Sequence, residues 1–258
     1  MNTSGNTILI TGGSSGIGLE FARRFLALGN TVIVTGRNEK KLEKAKAGLP
    51  KLEVLKSDVG RPEDIEKLYQ AVTSRFPALN VLVNNAGVMH QINFHDENLG
   101  LDGLTEEIDI NLKGPIRMAK VFLPHLKKQG ESAIVNITSG LAFVPFPTSP
   151  VYSCTKAALH SFSLSLRVQL KHTRVKVFEV APPATATEML TMNEEDMKGV
   201  SIMKVDDMVE ASIRGIAADR LEIRPGQSNS LKLMSRVAPE FILKQLSRPV
   251  DRMLSGTR

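Results

Sequence analysis

Tyr152 and Lys156 stand four residues apart in the run Tyr152-Ser153-Cys154-Thr155-Lys156. On a helix that spacing brings both side chains out of one face, one turn apart. A free phenol has a pKa of about 10 and is a poor base at neutral pH. An ammonium one turn away stabilises the phenolate and draws that value toward the working range, so the pair can pass a proton to and from an oxygen. Ser139 follows the apolar run Ala133-Ile134-Val135-Asn136-Ile137, which reads as a strand. Its hydroxyl can polarise a carbonyl, or hold an alcohol oxygen, beside the phenol.

The elements that must position these groups begin at the other end of the chain. Thr7-Ile8-Leu9-Ile10-Thr11 is a β-branched apolar run and reads as a buried strand. Gly12, Gly16 and Gly18, with Ser14, Ser15 and Ile17 between them, form a turn that no bulky side chain could follow. Leu19, Phe21, Ala22, Phe25 and Leu26 continue at helical spacing until Gly29-Asn30 stops the helix. Strand, glycine turn and helix place unpaired backbone N–H groups and a positive helix end at one point, a site for a pyrophosphate.

The end of the second strand reads on the same ligand. In a nicotinamide-dinucleotide unit without a 2′-phosphate, an acidic residue about 20 positions after the glycines bonds the ribose. Here Gly36-Arg37 occupies that place. A carboxylate would repel a 2′-phosphate and a guanidinium can pair with it, so Arg37 favours NADP(H), unless it merely caps the strand end. Asp58 and Val59 follow the third strand; the carboxylate could accept from the adenine amino group, or be an ordinary turn aspartate. Asn84-Asn85-Ala86-Gly87 follows the fourth strand. Small residues such as Ala86 and Gly87 let a cofactor lie against backbone, and an asparagine can tie neighbouring strands through its amide; Asn84, Ala86 and Gly87 are expected at the cofactor.

The chain has 258 residues, 42% hydrophobic and 23% charged, with a formal charge of +6. That composition fits one α/β domain with a substantial core. Strands read near 7–11, 31–35, 52–56, 80–83, 132–138, 175–180 and 221–224. Helices read near 16–28, 38–48, 62–75, 104–129, 151–172 and 206–219, with short helical pieces in 188–199 and 229–247. The alternation predicts a single Rossmann-type, doubly wound parallel sheet of about seven strands, helices on both faces, over 1–258. Residues 229–258 form a helical C-terminal extension. No apolar run approaches the ~20 residues of a membrane span, and the first six residues carry no export signal, so a cytoplasmic address is expected. One cysteine, Cys154, excludes an internal disulfide and a multi-cysteine metal site; no metal is expected. Cys154 and His160 read as packing or surface residues. From Arg220 onward eight basic residues face three acidic ones. They are spaced singly with Phe241 as the one aromatic, so a solvated helical face is expected and no nucleic acid.

In their order, these motifs resemble the short-chain dehydrogenase/reductase family, from Thr11 to about Arg224. The resemblance rests on Thr11-Gly12, Gly16-Ile17-Gly18, Asp58-Val59, Asn84-Asn85-Ala86-Gly87, Asn111, Ser139, and Tyr152 with Lys156. It implies NADP(H)-dependent interconversion of a carbonyl and a secondary alcohol, with Asn111, Ser139, Tyr152 and Lys156 as the catalytic set. Lys156 would also bond the nicotinamide ribose, and Asn111 would hold a water joining Lys156 to solvent. After the sixth strand the family usually has Pro-Gly, then backbone that meets the nicotinamide carboxamide. Pro182, Thr185 and Thr187 match, while Pro183 replaces the glycine, removing an N–H and fixing φ. That substitution, with Ser139–Pro145 and Leu221–Gly226, looks like the DltE-type branch. The resemblance also implies a homodimer or homotetramer packed through the helices that contain Asn111 and Tyr152.

The expected substrate is a small carbonyl or alcohol compound between loops 88–103, 140–150 and 188–204. Met189, Met192, Met197 and Met203 in the last loop suit an apolar ligand, or simply close the core. The extension could cover the cleft, pack on a second subunit or lie on an anionic membrane. Pro239 and Pro249 interrupt any long amphipathic face and weigh against the last. Fold alone also permits a second function, an NADP(H)-binding sensor or docking protein without turnover; a tuned phenol favours the enzyme.

Overall fold

Seven apolar runs become seven strands in a computed structural model of the protein, which describes residues 1–189 and 201–255. They are β1 (Thr7–Thr11), β2 (Thr31–Gly36), β3 (Glu53–Lys56), β4 (Leu79–Asn84), β5 (Ser132–Ile137), β6 (Val175–Val180) and β7 (Glu222–Ile223). All neighbours pair in parallel, in the order β3-β2-β1-β4-β5-β6-β7. Successive side chains of a strand point to opposite faces, and β1 shows the result. Ile8 and Ile10 pack with Phe21, Phe25, Val32 and Val34 on one side. Leu9 packs with Ile33, Leu82, Phe122 and Ile134 on the other.

Helices α1 (Gly16–Ala27), α2 (Glu39–Gly48) and α7 (Val205–Ala217) cover the first face, through Phe21, Leu42 and Met208. Helices α3 (Pro62–Arg75), α5 (Gly114–Leu126) and α6 (Pro150–Gln169) cover the second, through Leu68, Met118 and Leu166. This is the Rossmann-type doubly wound arrangement. Because β2 and β3 lie on one side of β1 and the other four strands on the opposite side, the crossovers diverge at β1. A crevice opens there, beyond the carboxyl ends of the strands.

The helix expected over 104–129 is three pieces: α4 (Leu101–Ile108), a π-helical turn at Asp109–Lys113, and α5. The π turn has no mark in residue periodicity, so the run read as one helix. The extension forms α8 (Ser228–Val237), α9 (Pro239–Leu246) and α10 (Arg248–Ser255). Helix reaches beyond residue 247 because Pro239 and Pro249 sit in first turns, where a missing N–H costs nothing. Of the helical piece read in 188–199, residues 190–199, with Met192 and Met197, lie outside the described residues. No helix among the described residues is long and apolar enough to cross a membrane.

Candidate active site

The glycine turn is closed by contacts that leave no room for side chains. Gly12 has φ +64°, and a Cβ there would stand 2.7 Å from Ala86 Cα. A Cβ on Gly18 would lie 2.4 Å from Asn85 Nδ2 and 2.5 Å from the Gly12 oxygen. Asn85 causes this crowding: its amide donates to the carbonyls of Thr11 and Gly12, both at 2.9 Å. Thr11 Oγ1 accepts in return from the N–H groups of Asn85 and Ala86. The loop after β4 is thus sewn to the turn after β1, and Ser15 begins α1 without a side-chain cap. First-turn amide groups are left to a ligand.

A cavity of about 970 Å³ opens over this turn. It is lined by Gly12, Ser14, Ser15, Gly16 and Ile17, and by residues beyond β2 to β6. Arg37 stands at the β2 end of the cavity with Asn38 and Lys41; its guanidinium bonds Glu106 at 3.1 Å. Asp58 and Val59 line the cavity, and Asp58 Oδ1 also accepts from the Gly60 N–H at 2.9 Å, so it is a turn aspartate as well. Ala86, Gly87, Pro182, Thr185 and Thr187 line it too. Thr187 lies over the turn, 3.5 Å from where a Gly16 Cβ would be. Pro183 lines the cavity beside them and packs where a side chain on Gly226 (φ +52°) would go.

Two of the expected cofactor residues sit away from the cavity wall. Asn84 is buried inside the sheet, donating to Asn136 Oδ1 at 2.9 Å, and Asn136 donates to Ser163 Oγ at 2.9 Å. It is the strand tie, and Asn85, one residue on, is the one that faces the turn. Strand alternation decides which of two adjacent asparagines points which way. Gly18 is buried beneath the turn.

Ser139, Tyr152 and Lys156 meet in the same cavity, each buried to within a tenth of full cover. Lys156 donates 3.0 Å to the Ile137 oxygen and stands 5.6 Å from the centre of the Tyr152 ring. Asn111, wholly buried, lies in the π turn behind them. Its amide accepts from the Val88 N–H at 2.9 Å, donates to the Val88 oxygen at 2.8 Å and reaches Thr155 Oγ1 at 3.3 Å. Burial pushes the Tyr152 phenol up to about 12, with the Ser139 hydroxyl pulling against it and the Glu107 carboxyl adding to it. Burial pushes Lys156 down to about 8, against the opposing pull of Glu107. The phenol pKa is therefore raised in the free chain, not lowered: loss of water outweighs every neighbouring charge.

His160, one turn beyond Lys156, has a partner after all. Its Nδ1 lies 2.8 Å from the buried Glu179 carboxylate on β6, which also accepts from Thr138 Oγ1 at 2.8 Å. Phe143 meets the imidazole ring edge-on. Cys154 is exposed. The tail supplies cavity wall that sequence reasoning left open: Leu231, Met234, Ile242 and Leu246 line it. Of the apolar residues that recur at helical spacing, Leu231, Met234, Val237 and Phe241, the first two face the cavity and the last two are exposed. Among the described residues no cluster of His, Cys, Asp or Glu could hold a metal.

Comparisons with known proteins show the family and the fold. The family described as short chain dehydrogenase matches residues 6–198. The chain is 43% identical over 251 residues to the uncharacterized oxidoreductase DltE of Bacillus subtilis, covering 96% of this chain and 98% of that one. A short chain dehydrogenase of Burkholderia cenocepacia in complex with NADP superposes with TM-score 0.81 at 23% identity, over 96% of this chain and all of that one. A short chain dehydrogenase/reductase of Burkholderia phymatum in complex with NAD gives 0.81 at 20% identity, over 95% and 96%. These two likenesses bear on the fold.

Proposed function

The chain belongs to the short-chain dehydrogenase family, and from that premise we propose that it is an NADP(H)-dependent oxidoreductase interconverting a carbonyl and a secondary alcohol. Its oxidoreductase character and its nicotinamide cofactor come with the family. The preference for NADP(H), the residue roles and the substrate class are the proposal. The observation that carries it is the meeting of Tyr152, Lys156 and Ser139 in the cavity that also contains the glycine turn.

When bound, the nicotinamide cofactor supplies or accepts the hydride. In the reducing direction Tyr152 donates its phenolic proton to the carbonyl oxygen, and the Ser139 hydroxyl holds that oxygen in place. A phenol held near 12 is fully protonated at neutral pH, the state a proton donor needs. Lys156 steadies the resulting phenolate, and Asn111 anchors the loop behind Lys156 through Val88. In the oxidising direction the phenolate takes the alcohol proton, and it forms only once positive charge beside the ring brings the phenol pKa down. Arg37 and Lys41 line the cavity with Asn38, paired to Glu106 and Glu188, and with no acidic residue among 31–38 they support recognition of a 2′-phosphate. Leu141, Phe146, Leu231 and Met234 give the cavity apolar walls, which suits an apolar or amphiphilic carbonyl compound. Exposed Ile116, Leu164 and Val168 on α5 and α6 support pairing of subunits through those helices.

Consumption of NADPH with a panel of ketones and aldehydes tests the reading. Turnover in the native chain and none in Tyr152→Phe is expected. Firm NADPH binding with no turnover on any carbonyl would favour the sensor instead.

A further inference from the structure

Two of the singly spaced basic residues of the tail belong to the cavity wall. Arg248 and Arg252 stand four apart on α10, which brings them to one face of that helix, and both line the cavity that holds Tyr152. The mechanism above uses neither. The tail also contributes Leu231, Met234, Ile242 and Leu246 to the wall. Exposure rises from the buried Ser139 and Tyr152, through the half-buried Leu231, Met234 and Leu246, to the exposed Arg248. The guanidinium therefore stands at the mouth, and the apolar wall lies deeper.

For the chain alone, Arg248 is badly placed. It is the first residue of α10, at the positive end of the helix dipole, where a cation destabilises the helix. Arg252, one turn on, adds a like charge to the same face. Among the described residues Arg248 makes no ion pair and no side-chain hydrogen bond, Asp251 three residues on included. Three other cations of the wall are held: Arg37 by Glu106, Lys41 by Glu188 and Lys156 by the Ile137 oxygen. The two carboxylates of the described wall are occupied as well, Glu188 by Lys41 and Asp58 by the Gly60 N–H. Arg248 thus presents an uncompensated guanidinium fork at the cavity mouth, with the geometry that takes a carboxylate.

We propose that Arg248 is a specificity-determining residue and that the substrate is an acidic amphiphile: its carboxylate pairs with Arg248 at the mouth, its apolar body lies along Leu231, Met234, Ile242 and Leu246, and its carbonyl reaches Tyr152. This rests on the carbonyl-reduction reading, but it is tested by binding without turnover. The chain saturated with NADP+, which cannot reduce a ketone, is titrated with a ladder of straight-chain oxo acids, the carbonyl on the carbon next to the far methyl, and with their methyl esters. At the length that fits best, the acid should bind about fivefold tighter than its ester, as for an ion pair at a partly exposed site. Arg248→Gln should erase that difference, and Arg248→Lys, which keeps the charge without the fork, should keep part of it. NADPH affinity should stay within about twofold in both variants. The thermal midpoint of Arg248→Gln should hold or rise, since a cation leaves a positive helix end. An acid that binds no better than its ester at any length overturns the proposal, as does a preference that survives in Arg248→Gln. An equal weakening of NADPH by Arg248→Gln also overturns it, and assigns the residue to the cofactor phosphates. If the acid binds through Arg248 and NADPH is not consumed with it, the anion site stands and the carbonyl-reduction reading fails. If ketones are reduced without any preference for the acid, that reading stands and the proposal fails.

Discussion

Replacing Arg37 by alanine separates the two nicotinamide cofactors. A charge-assisted hydrogen bond contributes about 1.5–3 kcal/mol net. The Arg37 side chain is 51% exposed and shares its charge with Glu106 at 3.1 Å, so solvent screening places the loss at or below the bottom of that range. A loss of about 1.4 kcal/mol is tenfold in affinity. Arg37→Ala should therefore weaken NADPH about tenfold and change NADH, which has no 2′-phosphate, less than about twofold. Glu106→Gln acts in the opposite direction: it frees the guanidinium and removes a negative charge, so NADPH should tighten by about threefold. That gain should shrink in the Arg37→Ala background, because both substitutions act through one guanidinium. Titration followed by the reduced cofactor's own fluorescence is clean here, since the chain has no tryptophan. Equal weakening of NADPH and NADH by Arg37→Ala would refute the assignment and make Arg37 a residue of the strand end.

Three further substitutions probe the frame around the site. Gly12→Ala forces a left-handed backbone on alanine, about 1–2 kcal/mol, and sets its Cβ 2.7 Å from Ala86 Cα. NADPH binding should be lost, and the thermal midpoint should fall by about 4 °C or more. Asn136→Ala strands the Asn84 amide inside the sheet and removes a donor from Ser163, whose hydroxyl keeps its bond to the Leu159 oxygen, and urea unfolding should show a loss of about 1–3 kcal/mol. Lys156 changes the pH dependence of stability. Between about 8 and 10.5 the folded chain has released a proton that the unfolded chain keeps, so its contribution rises with pH across that window. Above 10 the sign reverses for Tyr152, which keeps its proton up to about 12. Native stability relative to Lys156→Met should therefore increase from pH 8 to pH 10, measured by urea midpoints.

What could be read in the sequence was what is local. The strands are buried on both faces, so runs such as Ile8-Leu9-Ile10 and Val32-Ile33-Val34 stand out against polar turns. The glycine turn and the Tyr152–Lys156 spacing are set within a few residues of one another, and both reappear in the cavity wall. The rest depends on long-range packing. The π turn around Asn111 arises from how α4 and α5 meet the loop after β4, which periodicity does not record. Glu179, the partner of His160, lies nineteen residues away on β6. Glu107 shows in the sequence only as one of two adjacent glutamates, and its burial depends on contact with His90 and α6. That Asn84 ties the strands while Asn85 faces the turn rests on a single step of strand alternation.

The central claim is that Tyr152 carries the proton. Single-turnover reduction by Tyr152→Phe, with NADPH affinity measured on the same sample, tests it most directly. Affinity should stay within about twofold while the rate falls at least about a hundredfold, the usual weight of a lost general acid. A variant that binds NADPH as the native chain does and still reduces carbonyls at the native rate would contradict the account.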